Sequence, residues 1–112
     1  MRGTGYNQGD IVLVDFPFSD LQNSKRRPAI VVSNSIVNKG LDVICAQITS
    51  QVYKDVFSFV LSDANMTKPL GGYSEIRCHK IFIIEKTKII GKISHLHATA
   101  QPELFKKIKS FF

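Results

Sequence analysis

The feature that most constrains the fold of this chain is a series of short apolar runs, rich in β-branched residues and separated by polar or glycine-containing segments. Runs of this length and composition are typical of β-strands. We predict strands over residues 11–16, 28–33, 42–50, 56–61, 74–84 and 88–93. Five to seven short strands in 112 residues predict one domain, residues 1–112, built on a small, strongly bent sheet or barrel.

The last segment of the chain has a different period. Apolar residues recur there at helical spacing, namely Leu104, Phe105, Ile108, Phe111 and Phe112. Lysines occupy the opposite face, and Pro102 suits the first turn of a helix. The fold class predicted is therefore mainly β (α+β), with an amphipathic C-terminal helix.

The chain is basic, with 15 Lys and Arg against 9 Asp and Glu, a net charge of +6 and a pI near 9.5. This charge favours nucleic acid as partner, although an acidic protein or an anionic membrane would be attracted by the same field. No apolar run reaches the roughly 20 residues that span a bilayer, and the first residues lack the apolar core of a signal peptide. We expect a cytoplasmic protein that does not enter a membrane.

The cysteines and two of the histidines offer no clear metal or disulfide chemistry. Cys45 and Cys78 lie inside strand-like runs without Cys-X-X-Cys or zinc-finger spacing, which predicts buried free thiols. His95 and His97 share a strand face, but no obvious third ligand follows them. We expect no metal site.

Three consecutive cations, Lys25, Arg26 and Arg27, precede Pro28 and an apolar run. The residue before a proline is driven into extended geometry, and a proline is tolerated at the first position of a strand. We therefore expect Arg27 to be extended at the entrance of the second strand. A guanidinium can bind two phosphate oxygens at once, but a solvated basic loop explains the same pattern equally well.

A second candidate site lies on the predicted strand 74–84. Alternation places Glu75, Arg77 and His79 on one face and Cys78 on the other, so that Cys78 cannot pair with His79 as a thiol nucleophile. An imidazole titrates near neutral pH, and a neighbouring cation tends to lower its pKa. The pair suits acid–base chemistry, although a solvent-facing strand without catalytic function remains the alternative.

Three blocks of the sequence resemble the MazF/PemK family of toxin ribonucleases from bacterial toxin–antitoxin pairs. They are GDIVLVDFPFSDLQNSKRRPAIVVSN (9–34), AQITS (46–50) and SEIRCHKIFIIEKTKIIGKISHL (74–96). The resemblance implies an SH3-like β-barrel, a homodimer and metal-independent, cofactor-free cleavage of single-stranded RNA. In this family the ribose 2′-hydroxyl attacks the phosphate and leaves a 2′,3′-cyclic phosphate. An antitoxin's disordered acidic tail covers the active groove.

Matched position by position, the resemblance implies catalytic roles for Arg27, Thr49 and Arg77. His79 stands where some members carry an acidic base, so we expect it to accept the 2′-hydroxyl proton. Thr49 offers a hydroxyl donor from a strand, although threonine is also an ordinary strand residue. Without the matching block, the sequence favours a purely structural role for Thr49.

The loops 17–26 and 62–72 are expected to form the RNA groove, because both are long and polar. Expected RNA-binding residues are Phe18, Lys25, Arg26, Ser50, Gln51 and Tyr73. Tyr73 and Phe18 suit stacking on an unpaired base, although Phe18 also suits the core beneath its loop. The loop reads DLQNSK where the family commonly has a glycine- and glutamate-rich sequence, so the cleavage sequence is left open.

Two further functions fit the same fold. A related family uses this barrel to poison DNA gyrase, and a barrel without a working base would bind nucleic acid without cleaving it. The Arg-Pro and Ile-Thr-Ser blocks favour RNA cleavage over gyrase poisoning, whereas the non-catalytic barrel stays open.

Overall fold

The computed structural model of the protein describes residues 5–17 and 24–112. The strands are β1 (Asp10–Pro17), β2 (Ser24–Val31), β3 (Asp42–Thr49), β4 (Ser58–Leu61), β5 (Ser74–Glu85) and β6 (Ile89–His95). The helices are α1 (Ser35–Asn38) and α2 (Gln101–Lys109). The mainly β fold with a C-terminal helix is thereby confirmed. No helix in the described part of the chain is long and apolar enough to cross a bilayer.

The strands form one antiparallel sheet in the order β4-β5-β3-β2-β1-β6. The sheet is not closed by a ladder between its edge strands. The segment that follows β4 nevertheless reaches the end of β6, where Met66 bridges Leu96 and the Thr67 N–H donates to the His95 carbonyl at 2.9 Å. The expected barrel is therefore an open sheet whose edges are linked by this short contact.

Apolar side chains are buried on both faces of the sheet. The larger cluster includes Ile11, Ile30, Ile48 and Ile76 and is covered by α2 through Leu104 and Ile108. The smaller cluster is formed by Val12, Val14, Ala29, Val31, Val43, Cys45, Ile84 and Ile89. Burial on both faces explains why the strands read as continuous apolar runs rather than as a simple alternation.

The thiols behave as the sequence predicted. Cys45 and Cys78 are both buried and free. Burial raises the pKa of the Cys45 thiol to about 12 and that of Cys78 to about 11. Neither thiol is therefore available as a thiolate near neutral pH.

The expected position of Arg27 at the strand entrance is wrong. Strand β2 begins at Ser24, and Arg27 lies inside it opposite Val14 of β1. The strand begins earlier than predicted because the three basic residues pair with residues 14–16 of β1. Pro28 is accommodated because pairing with β3 starts only at the next residue, Ala29.

The helices differ from the prediction in two smaller ways. Phe112 was placed on the apolar face of the C-terminal helix, but α2 ends at Lys109 and the Phe112 side chain is 88% exposed. Helix α1 was not predicted, because a single turn is too short to show a period. Its start is fixed by Asn34, whose side chain accepts a hydrogen bond from the Ile36 N–H at 3.1 Å.

An irregularity in β5 positions the candidate site. Ala46 of β3 pairs with Ile81, whereas the next residue, Gln47, pairs with Arg77. Residues 78–80 therefore have no partner on β3 and form a bulge. Such bulges interrupt the regular alternation of side chains and are frequent next to active sites.

Candidate active site

A small cavity of about 220 Å³ lies over the middle strands of the sheet. It is lined by Arg27, Gln47, Thr49, Gln51, Tyr53, Arg77 and Lys80. Three predicted catalytic residues meet there because β2, β3 and β5 are adjacent in the sheet. The structure thus brings together side chains that are 50 positions apart in the sequence.

A larger cavity of about 450 Å³ adjoins the small one, since Arg27 and Thr49 line both. Its other lining residues are Leu13, Arg26, Pro28, Ile48, Ser50, Leu70, Gly71, Gly72, Tyr73, Ser74 and Ile93. The predicted RNA-binding residues Arg26, Ser50 and Tyr73 are therefore on this cavity. Residues 70–72 bring in the end of the second predicted groove loop. The combination of apolar side chains with an aromatic ring suits a nucleobase.

The Arg77 guanidinium is buried and bound on several sides. Its two terminal nitrogens donate to the two carboxylate oxygens of Asp55 at 2.9 and 3.0 Å, and one of them also donates to Glu75 Oε1 at 2.9 Å. Its carbon lies 4.1 Å from the centroid of the Tyr53 ring. The hydrogen bonds to Asp55 raise the pKa of Arg77 above its ordinary value despite burial. Arg77 therefore supplies a fixed positive charge and not a proton.

Glu75 is the buried partner of Arg77. It is fully buried, and it accepts hydrogen bonds from the Ser58 hydroxyl, from the Tyr73 hydroxyl at 2.5 Å, and from the backbone N–H groups of Tyr53 and Lys54 at 3.1 and 3.2 Å. Burial acts to raise the pKa of Glu75, but these hydrogen bonds outweigh it and lower the pKa to about 2. Glu75 thus stays ionised and ties the segment 53–58 to β5.

His79 lies beside the small cavity rather than on it. Its exposed ring stacks on Phe57, with centroids 3.9 Å apart, and Phe57 in turn lies 5.9 Å from the Arg77 guanidinium carbon. Desolvation, followed by the positive charges of Arg77 and Lys80, lowers the pKa of His79 below its ordinary value. The ring is therefore predominantly neutral at pH 7, which is the form that a base requires.

The sequence matches a family model described as the PemK-like, MazF-like toxin of type II toxin–antitoxin systems, over residues 7–112. The chain belongs to this family. A comparison with curated proteins gave no match.

Solved structures of PemK/MazF toxins have the same fold at low sequence identity. A MazE–MazF structure from Deinococcus radiodurans superposes with a TM-score of 0.81 at 18% identity, covering 97% of this chain and 96% of that one. The Mycobacterium tuberculosis toxin MazF-mt6 gives 0.73 at 22% identity, covering 90% and 93%. A mycobacterial endoribonuclease in complex with its cognate antitoxin gives 0.76 at 15% identity, covering 94% and 92%.

Within this family fold, Thr49 is prepared to donate a hydrogen bond. Its hydroxyl oxygen accepts from the Gln51 backbone N–H at 3.1 Å, which orients the oxygen and leaves the hydroxyl proton for a ligand. The Gln51 side chain accepts from the Tyr53 hydroxyl at 3.2 Å. The short turn after β3 thus holds three lining residues of the small cavity in one hydrogen-bonded group.

Two predicted RNA-binding residues, Lys25 and Phe18, remain. Lys25 is exposed on β2, where it pairs with Phe16, and lines neither of them. Phe18 lies outside the described residues, as does most of the first predicted groove loop.

His95 shares a hydrogen bond with Asp10 at 2.8 Å. No group of three or more His, Cys, Asp or Glu side chains within 5–17 and 24–112 is arranged for a metal.

Sequence reasoning missed Asp55, Lys80 and the role of Glu75. Asp55 lies in the turn before β4, and only the pairing of β4 with β5 brings it to Arg77. Lys80 was not considered because alternation places it opposite Arg77. No clear signal in the sequence pointed to Glu75, because the first half of its strand (SEIRCHK) is rich in polar residues. Only its full burial shows that this carboxylate requires partners.

Proposed function

We propose that this PemK/MazF-family toxin is an endoribonuclease that cleaves single-stranded RNA without a metal ion, by attack of a ribose 2′-hydroxyl on the adjacent phosphate. The observation that carries the proposal is the convergence of Arg27, Thr49 and Arg77 on one cavity. Such cleavage needs no protein nucleophile, but it does need donors and cations around the phosphate oxygens.

The cavity residues divide the chemistry as follows. Arg27 binds the scissile phosphate through its planar guanidinium, and Thr49 donates its hydroxyl to a phosphate oxygen. Arg77 is held by Asp55 and Glu75, which offset its charge, and it fixes the shape of the cavity wall beside the phosphate. His79 takes the proton of the 2′-hydroxyl as that oxygen bonds to phosphorus, and the bond from phosphorus to the 5′-oxygen breaks. The departing 5′-oxygen then takes up a proton, a step to which we assign no side chain.

The larger cavity supports single-stranded RNA as substrate. Its apolar side chains and Tyr73 provide a surface for an unstacked base, and Arg27 and Thr49 place that surface directly next to the phosphate site. A paired base could not leave its helix to enter such a cavity without the cost of unpairing. Sequence preference would then arise from which base fits.

Two protein partners belong to this proposal. The net charge of +6 suits an antitoxin with an acidic disordered tail that competes with RNA for the groove. Family resemblance supports a homodimer, and the large apolar side chains exposed near one end of the β3–β5 pair, Leu41 and Ile83, are consistent with a covered surface. We place the activity in the cytoplasm, where the substrate occurs. Sedimentation as a monomer at micromolar concentration would contradict the dimer.

The decisive experiment incubates the purified protein with a long RNA in EDTA. We expect discrete fragments that end in 2′,3′-cyclic phosphates, and no cleavage when the nucleotide at the cut carries a 2′-deoxyribose. Binding without fragments would instead support a non-catalytic nucleic-acid-binding barrel. Inhibition of DNA gyrase without RNA binding would support the gyrase-poisoning alternative.

A further inference from the structure

We infer that Lys80 is a substrate-contacting residue of the small cavity, which the β5 bulge positions to bind a phosphate of the nucleic-acid strand. No sequence motif singled it out. The inference rests on the proposed function only for naming nucleic acid as the ligand. Whether Lys80 contacts a phosphate can be tested separately from cleavage.

The first support is the position of Lys80. Residues three apart in a regular strand point to opposite faces of the sheet, so Lys80 and Arg77 would be separated. The bulge of residues 78–80 changes this, because Arg77 pairs with Gln47 while Ile81 pairs with the neighbouring Ala46. Arg77 and Lys80 consequently line the same cavity. A bulge that re-aims one side chain next to a site is a recurrent structural device.

The second support is the charge balance of the cavity wall. Arg77 is bound to two carboxylates, Asp55 and Glu75, so that this ionic group carries a formal charge of −1. It offers an approaching phosphate little net attraction. Lys80, in contrast, forms no salt bridge with any residue in the described part of the chain and is exposed to solvent. Its ammonium group adds an uncompensated positive charge to the cavity.

The third support is the chemistry of the remaining lining residues. None of the described residues that line the small cavity is a carboxylate. Apart from Arg77 and Lys80, they are an arginine, a threonine, two glutamines and a tyrosine. Hydroxyl, amide and guanidinium donors around a lysine favour an oxyanion over a cation or an apolar group. A lysine binds phosphate as a mobile point charge, which suits a neighbouring backbone phosphate as well as the one that is cut.

The test compares Lys80→Gln with Lys88→Gln, which removes the same charge from an exposed lysine outside both cavities. The probe is a fluorescent single-stranded DNA oligonucleotide, which lacks the 2′-hydroxyl and cannot be cut. Its affinity is measured by anisotropy over a range of salt concentrations. Loss of one phosphate contact should reduce the slope of log affinity against log salt by about 0.7.

We expect this reduced slope and an affinity about tenfold weaker in Lys80→Gln, since a hydrogen bond to a charged group is lost. Lys80→Arg should restore both, and Lys88→Gln should match the wild-type slope. Equal slopes for Lys80→Gln and Lys88→Gln would overturn the inference and leave the proposed function intact. If the wild type binds and Lys80→Gln has the reduced slope, but RNA is not cleaved, the phosphate contact of Lys80 would be supported and the proposed function overturned. Absence of wild-type binding would overturn both.

Discussion

The two sides of the small cavity are built in opposite ways. The β4–β5 side consists of Asp55, Glu75 and Arg77. Arg77 binds both carboxylates, and Arg77 and Glu75 are buried whereas Asp55 is exposed. The β2–β3 side consists of Arg27, which is half-buried, and Thr49, whose hydroxyl oxygen accepts a hydrogen bond from the Gln51 backbone N–H. We call these the fixed side and the binding side. In the proposed function the fixed side provides shape, whereas the binding side, together with Lys80 of β5, provides the contacts to substrate.

The largest effect is expected on the binding side, from Arg27→Ala. Removing a donor to the charge that develops on phosphate should lower kcat/KM for RNA by about 10³-fold. Arg27→Lys should also lose most activity, because one ammonium cannot reproduce a two-point contact. A thermal melt of each variant separates a loss of activity from a loss of folding. Unchanged cleavage by Arg27→Ala would remove Arg27 from the site.

The next largest effect is expected on the fixed side, and it concerns stability. Arg77→Ala would leave the fully buried Glu75 carboxylate without its cation, which should lower the free energy of unfolding by about 3 kcal/mol. Urea denaturation measures this change. Arg26→Ala is the matched control, since Arg26 is exposed and should change stability little. Equal stability of both variants would show that the fixed side does not support the fold.

A third variant tests His79, which belongs to neither the fixed side nor the binding side. His79→Asn keeps a hydrogen-bonding group but cannot titrate, and loss of a positioned base should lower the rate by about 10²-fold. Wild-type activity should rise with pH through the lowered pKa of His79, so the rising limb should lie below the ordinary value of 6.5. His79→Asn should lack this limb.

His79→Asp restores an acidic base and should retain part of the activity, with the rising limb at lower pH. A wild-type rate and pH profile in His79→Asn would show that His79 only stacks on Phe57. The base would then have to be sought on the binding side.

The smallest effect is expected in the acid stability of the fixed side. The pKa values of Glu75 and Asp55 fall from ordinary values of 4.5 and 3.8 to about 2. A carboxyl whose pKa is lowered by folding stabilises the fold above its ordinary pKa, and the contribution is lost as pH falls toward 2. Glu75→Gln should flatten the decline of melting temperature between pH 4.5 and 2, whereas Asp63→Asn, at an exposed carboxylate, should follow the wild type.

The order and type of the main elements could be predicted from the sequence because each strand buries at least one apolar face. The alternation around Ile48 and the helical spacing of Leu104 and Ile108 both correspond to buried positions. The convergence of Arg27, Thr49 and Arg77 followed from the resemblance and not from periodicity. Polar residues on strands have no pattern of their own that distinguishes a site from a solvated face.

What could not be predicted depends on pairing between distant segments. Arg27 lies inside β2 only because the basic residues before Pro28 pair with β1. Asp55 reaches Arg77 only because β4 pairs with β5. Lys80 reaches the cavity only because the alternation along β5 is interrupted, and a period-two reading assumes that no interruption occurs. Each failure is a failure of register, which local sequence does not encode.

The bulge at residues 78–80 also defines where this sheet tolerates a change of chain length. The ladders on its two sides are anchored separately, with Gln47 opposite Arg77 and Ala46 opposite Ile81. Inserting or deleting a residue between these anchors would alter the cavity wall while leaving both flanking ladders, and the buried side chains that they carry, in place. At this position, the surface that faces the cavity can change independently of the core.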